Sequence, residues 1–124
     1  SELKSKDELE IFREQLYDRF GSPPKETEDL IESVKLKWIG SVLNFRKITL
    51  KNNKMLCYFP DQSENKFFNS KKFISILQLI NTIDGCKMKE KNVVNKKSLY
   101  VVFENINTIS KALENLNRLQ LIDN

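Results

Sequence analysis

A chain of 124 residues with 40% apolar and 31% charged side chains has the apolar content for one buried core and is too charged for a membrane-embedded class. Its net charge of +4 conceals a division, because residues 1–32 hold ten acids against five bases, whereas the remainder holds sixteen bases against seven acids. The absence of histidine, with two cysteines widely separated, excludes Ser-His-Asp and Cys-His nucleophilic sites, the usual zinc sites and Cys-x-x-Cys chemistry.

Leu9, Phe12, Leu16 and Phe20 step by three, four and four, which predicts a helix from about Lys6 to Phe20 with these residues facing inward. Asp7, Glu10, Glu14 and Asp18 repeat the same steps two residues out of phase, so they fall roughly opposite, on an outward acidic face. Ile11 projects from the middle of that face with no core to join. The run Asp18-Arg19-Phe20-Gly21-Ser22-Pro23-Pro24 then stops one helix and starts another. Glycine takes the left-handed conformation past a helix end, and proline pre-sets a first helical turn. Phe20, Gly21 and Pro24 thus form the structural joint of a helical hairpin.

The second helix is predicted from about Lys25 to Leu43, with Glu26, Glu28 and Asp29 at its positive end. Its apolar face is read as Ile31, Val34, Trp38 and Val42, flanked by Leu30 and Ile39. Strands Phe45–Leu50 and Lys54–Phe59 flank Asn52-Asn53, the residues of a tight hairpin turn, and Pro60 ends the pair. A polar loop through Asn69 leads to Ser70, the expected N-cap of a third helix carrying Phe73, Ile76, Leu77, Ile80 and Ile83. Asp84-Gly85 turns the chain into a short strand, Cys86-Lys87-Met88, and a longer one follows from Lys97 to Phe103. Asn105 or Asn107 is expected to cap a last helix with Ile109, Leu113 and Leu116 buried, ending near Leu121. These elements predict an α+β domain: an N-terminal helical hairpin, then a small, mostly antiparallel sheet with further helices on it.

Residues 7–124 read as one domain, and residues 1–6 as linker or foreign sequence. A first residue of Ser ahead of a charged helix reads as a piece of a larger protein. The apolar runs are too short to span a bilayer and the N-terminus lacks a signal-peptide pattern, so a cytoplasmic protein without a membrane partner is expected. Cys57 and Cys86 are expected to be free thiols.

Three chemistries compete for the charged residues. Acid–base catalysis by Glu10, Glu14 and Asp18 is disfavoured, since nothing desolvates an exposed helix face and tunes its carboxylates. A merely solvated face is the bland reading. The third is docking on a basic partner, with Ile11 as the buried contact at the centre of the patch. The lysine-rich half, including Lys47, Lys51, Lys54, Lys87, Lys89, Lys91, Lys96 and Lys97, offers as an alternative function a DNA-binding module of weak, sequence-independent affinity. With 17 lysines to 4 arginines, bidentate reading of base edges is disfavoured. Phe67-Phe68 either stack on bases or cover an end of the sheet. No glycine-rich phosphate loop occurs, so no cofactor is expected.

Asp7-Glu8-Leu9, then Leu16 through Pro24, Leu30-Ile31, Lys35-Leu36-Lys37 and Phe45-Arg46-Lys47-Ile48 resemble the C-terminal domain of bacterial transcription-repair coupling factors. The resemblance is specific over residues 7–60 and architectural beyond. It implies a parent protein that is an ATP- and magnesium-dependent translocase on duplex DNA, displacing stalled RNA polymerase and recruiting excision repair. Its motor would lie outside this domain, which has no catalysis of its own. The domain would be a regulatory clamp on the UvrB-like N-terminal module of the same protein, masking the surface that binds UvrA. Carried over by motif position, Asp18 matches a docking acid, and Gln15 stands where relatives often place Glu. Glu14 lies about 100° away around the helix. With the acidic face read above, the expected docking residues are Glu10, Ile11, Glu14, Gln15, Asp18 and Arg19.

Overall fold

The computed structural model describes residues 5–22 and 24–120. Helix α1 spans Lys6–Phe20, and its N-cap, Ser5, accepts from the Glu8 N–H at 3.1 Å. It stops at Gly21, whose φ of 77° and ψ of −164° form a combination essentially closed to residues with a Cβ. The Gly21 N–H still donates to the Tyr17 carbonyl at 2.8 Å. Helix α2 spans Lys25–Val42 with Pro24 as its N-cap and Leu43 as its C-cap. The Pro24 carbonyl accepts from the Thr27 and Glu28 N–H groups at 3.0 and 3.1 Å, so the proline sits just before the first helical turn. Pro23 lies outside the described residues.

Strands β1 (Lys47–Lys51) and β2 (Lys54–Tyr58) pair antiparallel across Asn52-Asn53. Both asparagines have positive φ, 53° and 60°, as a two-residue hairpin turn with native twist requires. Part of the expected loop is a single helical turn, α3 (Asn65–Phe68). Helix α4 (Lys71–Ile80) follows, and its N-cap Ser70 accepts from the Phe73 N–H at 3.2 Å. Next come β3 (Cys86–Val93), β4 (Lys96–Phe103) and α5 (Ile109–Gln120). The sheet order is β1-β2-β4-β3, with every pairing antiparallel. The α+β expectation holds.

Helices α2, α4 and α5 cover one face of the sheet. Leu36, Ile39 and Leu43, then Ile76 and Ile80, then Ala112, Leu113, Leu116 and Leu119 close over Met55, Cys57, Phe59, Val101 and Phe103 in one core. Gly40 sets the approach of α2 to the sheet, since a Cβ there would stand 2.5 Å from Ile48 Cδ1. Cys57 and Cys86 are free and buried. Burial raises both thiol pKa values, that of Cys86 to about 12. At one end of the core Phe59 meets Phe45, Phe67 and Phe73 at centroid distances of 5.0 to 5.9 Å.

Several boundaries and faces differ from the sequence reading. The buried face of α2 is Ile31, Leu36 and Ile39; Val34, Trp38 and Val42 are only half-buried and Leu30 is exposed. The helix is wedged between α1 and the body of the domain, so no single stripe describes it. The expected three-residue strand at Cys86 is eight residues long, paired with β4 to its end. Its Lys87-Met88-Lys89-Glu90-Lys91 sequence lacks the apolar run that marks a strand, and the partner strand supplies the pairing. Neither Asn105 nor Asn107 caps α5. Asn105 is spent in a left-handed turn, φ 59°, and Thr108 Oγ1 accepts from the Lys111 N–H at 3.1 Å. The expected end near Leu121 lies outside the described residues. Among the described residues, no helix is long and apolar enough to cross a membrane, and no group of metal-ligating side chains occurs.

Candidate docking face

Helix α1 is held to α2 by one buried side chain and by charge. Leu9 is 4% exposed and Leu16 half-buried, but Phe12 and Phe20 stand in solvent, Phe20 at 73%. The expected inward stripe therefore faces inward only at its start. The reason is position: α1 lies outside α2 rather than over the sheet, and its C-terminal half projects past what α2 can cover. Glu10 accepts an ion pair from Lys35 Nζ at 2.6 Å, and Arg13 makes a two-pronged pair with Glu28, 2.9 Å at its shortest. Hydrogen bonding to Glu28, and then the charge of that carboxylate, raises the Arg13 pKa.

On the side away from Leu9, the helix presents a different surface. Asp7, Ile11, Glu14, Gln15 and Asp18 occupy about 100° of arc opposite Leu9, and all are exposed. Glu14 and Asp18 make no salt bridge among the described residues. Ile11, 54% exposed, stands among them. Glu10 is apart from this group, turned toward α2 by Lys35. Arg19 lies on the other flank, its guanidinium 5.9 Å from the centre of the Phe20 ring. A shallow groove lined by Arg13, Glu14, Tyr17, Asp18 and Glu28 borders the face. Sequence reasoning missed Tyr17, which is exposed in that groove. Its position one turn before the joint, on neither the apolar nor the acidic stripe, was the available signal.

The geometry is that of an acidic, partly apolar ridge fixed at one end by the Gly21 joint. The sequence pattern of the TRCF domain matches residues 1–70, more than half of the chain and the part that contains this ridge. The chain belongs to the TRCF-domain family. A crystal structure of the C-terminal domain of transcription-repair coupling factor shares the fold, with a TM-score of 0.64 over 95% of this chain and 70% of that one, at 22% identity. The likeness extends past residue 70, so the second half of this TRCF-family chain shares the fold where the sequence pattern no longer matches. Among curated proteins no sequence matches the chain.

Proposed function

We propose that the domain is a non-catalytic regulatory latch. The outer ridge of α1 docks on a basic, partly apolar surface, that of the UvrB-like module of the parent transcription-repair coupling factor, and covers the surface that binds UvrA. The observation that carries this reading is the exposure of Ile11 on the arc of α1 opposite Leu9, one turn before Glu14 and Gln15 and two before Asp18. Carboxylates at i and i+4 repel by a few tenths of a kcal/mol in isolation, so an arrangement such as Glu14 and Asp18 gains from an external cation. Gln15, on the same arc, adds a neutral donor and acceptor.

The energies suit a reversible contact. Each exposed ion pair contributes roughly 0.2–1 kcal/mol, and burying an isoleucine side chain contributes about 1.5–3 kcal/mol. Because Glu10 is engaged with Lys35, Glu14, Asp18 and Ile11 carry the docking. Their sum is a few kcal/mol, enough to hold an intramolecular contact shut and small enough for a competing partner to open it. In the intact parent protein, Glu14→Arg with Asp18→Arg should raise UvrA binding. Unchanged UvrA binding by that variant contradicts the latch.

A further inference from the structure

The face of the sheet turned away from the helices has a composition that the docking ridge does not explain. Strand alternation sends Met55, Cys57, Val101 and Phe103 into the core and their neighbours outward. One outward row across the four strands reads Lys47, Tyr58, Tyr100, Lys89, because Lys47 pairs with Tyr58, Tyr58 with Tyr100 and Tyr100 with Lys89. The next row reads Thr49, Leu56, Val102, Lys87 by the same register, with Val102 buried among its neighbours at 5% exposure. Tyr58 and Tyr100 stack with centroids 5.1 Å apart and planes at 30°. The Arg46 guanidinium and Lys47 Nζ lie 5.3 and 5.1 Å from the Tyr58 ring centre.

The lysines on this face are of one sign by placement. Lys87, Lys89 and Lys91 take successive outward positions of β3, all exposed. Glu90 falls on the opposite face, where it pairs with Lys97 at 3.4 Å. Glu104, at the far end, is paired with Lys54 at 3.6 Å. The outward positions of the four strands carry no carboxylate beside the tyrosines, but Asp61 lies just past β2, its pKa lowered by hydrogen bonding from Ser63 and then by the charges of Lys96 and Arg46. Exposed lysines on an edge strand such as β3 guard it against pairing with another chain, and a cross-strand tyrosine pair serves the sheet. Neither accounts for both features together.

We propose that this face binds single-stranded DNA, with Tyr58 and Tyr100 stacking on bases and Lys47, Lys87, Lys89 and Lys91 following the phosphates. Four strands span about 15 Å at their usual spacing, and aromatic pairs on four-stranded antiparallel sheets accept two or three unstacked bases. Lysines can follow the phosphates of a single strand while the tyrosine pair meets its unstacked bases, and the oligouridine arm of the test separates DNA from RNA. The inference is independent of the α1 ridge, which packs on the helix layer.

The test is the anisotropy of a fluorescent oligothymidine of about twelve nucleotides, titrated with this chain from about 50 to 200 mM salt. Four phosphate contacts give a log–log salt slope of about −2.8. Lys87→Glu with Lys89→Glu and Lys91→Glu, all exposed positions, should weaken binding more than tenfold and flatten the slope by about two. Tyr100→Leu should weaken it about tenfold, whereas Tyr100→Phe, which keeps the ring, should bind as the unaltered chain does. A blunt duplex, whose bases are hidden, should bind more weakly than the single strand. Absence of binding at about 50 mM salt overturns the proposal. So does equal binding of duplex and single strand with an unchanged Tyr100→Leu variant, displacement by polyglutamate at matched charge, or tighter binding of oligouridine.

Discussion

The body of the domain and its first helix are built on different terms. From α2 to α5, Leu36, Met55, Phe59, Val101 and Leu116 close a single core in which side chains of four helices meet one sheet face. Helix α1 contributes Leu9 to the interior, leaves Phe12 and Phe20 in solvent, and relies on Glu10–Lys35 and Arg13–Glu28 for the rest. The contrast teaches that packing dictates the body, whereas α1 leaves most of its surface exposed, the surface that the proposed docking would use. An element of low local stability is also the one that a regulatory contact can move at small cost.

The sharpest way to break the comparison is to cut into the core. Leu116→Ala, at a site with no exposure, should cost about 2–5 kcal/mol and lower the midpoint of a cooperative denaturant transition seen by every probe. Gly21→Ala should cost about 1–3 kcal/mol, because alanine resists the Gly21 backbone angles. Its effect should concentrate in α1: amide exchange there should accelerate while protection in β2 and β4 is retained.

A third prediction concerns pH. Burial holds the thiol pKa of Cys57 and Cys86 above the ordinary 9.0, that of Cys86 at about 12. The unfolded chain therefore loses these protons first, and the folded state loses stability as pH rises from about 9 toward 12. Stability from the neutral thiols is complete below about pH 9. Denaturation midpoints measured at pH 8 and about pH 10 should fall more steeply for the unaltered chain than for Cys57→Val with Cys86→Ala. The smallest effect belongs to α1: Lys35→Met should cost less than about 1 kcal/mol, visible as exchange at α1 rather than as a shifted global transition.

Much of the fold was legible because local signals and packing agreed. The Gly21 joint, the Asn52-Asn53 turn and the Ser70 cap each use residues whose backbone preferences allow few alternatives. Strand β3 runs longer than its sequence signal because its alternation is Lys against Met and Glu, not polar against apolar. Thr108 and the nearby asparagines carry similar capping propensity, and only the folded chain shows Asn105 in a left-handed turn and the Lys111 N–H donated to Thr108 Oγ1. In the candidate site, periodicity placed Ile11, Glu14 and Asp18 on one face, where the structure also places them. It could not foresee that Lys35 would draw Glu10 toward α2, since that depends on hairpin register. Phe67 and Phe68 belong to the aromatic end of the core, and the stacked aromatic pair on the sheet is Tyr58 with Tyr100. Strand register, absent from a linear reading, brings those two together.

The most direct measurement of the docking account is chemical-shift mapping of the isotopically labelled chain during titration with the isolated UvrB-like module. The account predicts that perturbations concentrate on Ile11, Glu14, Gln15 and Asp18, extend to Tyr17, and disappear in the Glu14→Arg, Asp18→Arg variant. Perturbations centred on α5 or on the sheet, with α1 unaffected, would contradict it.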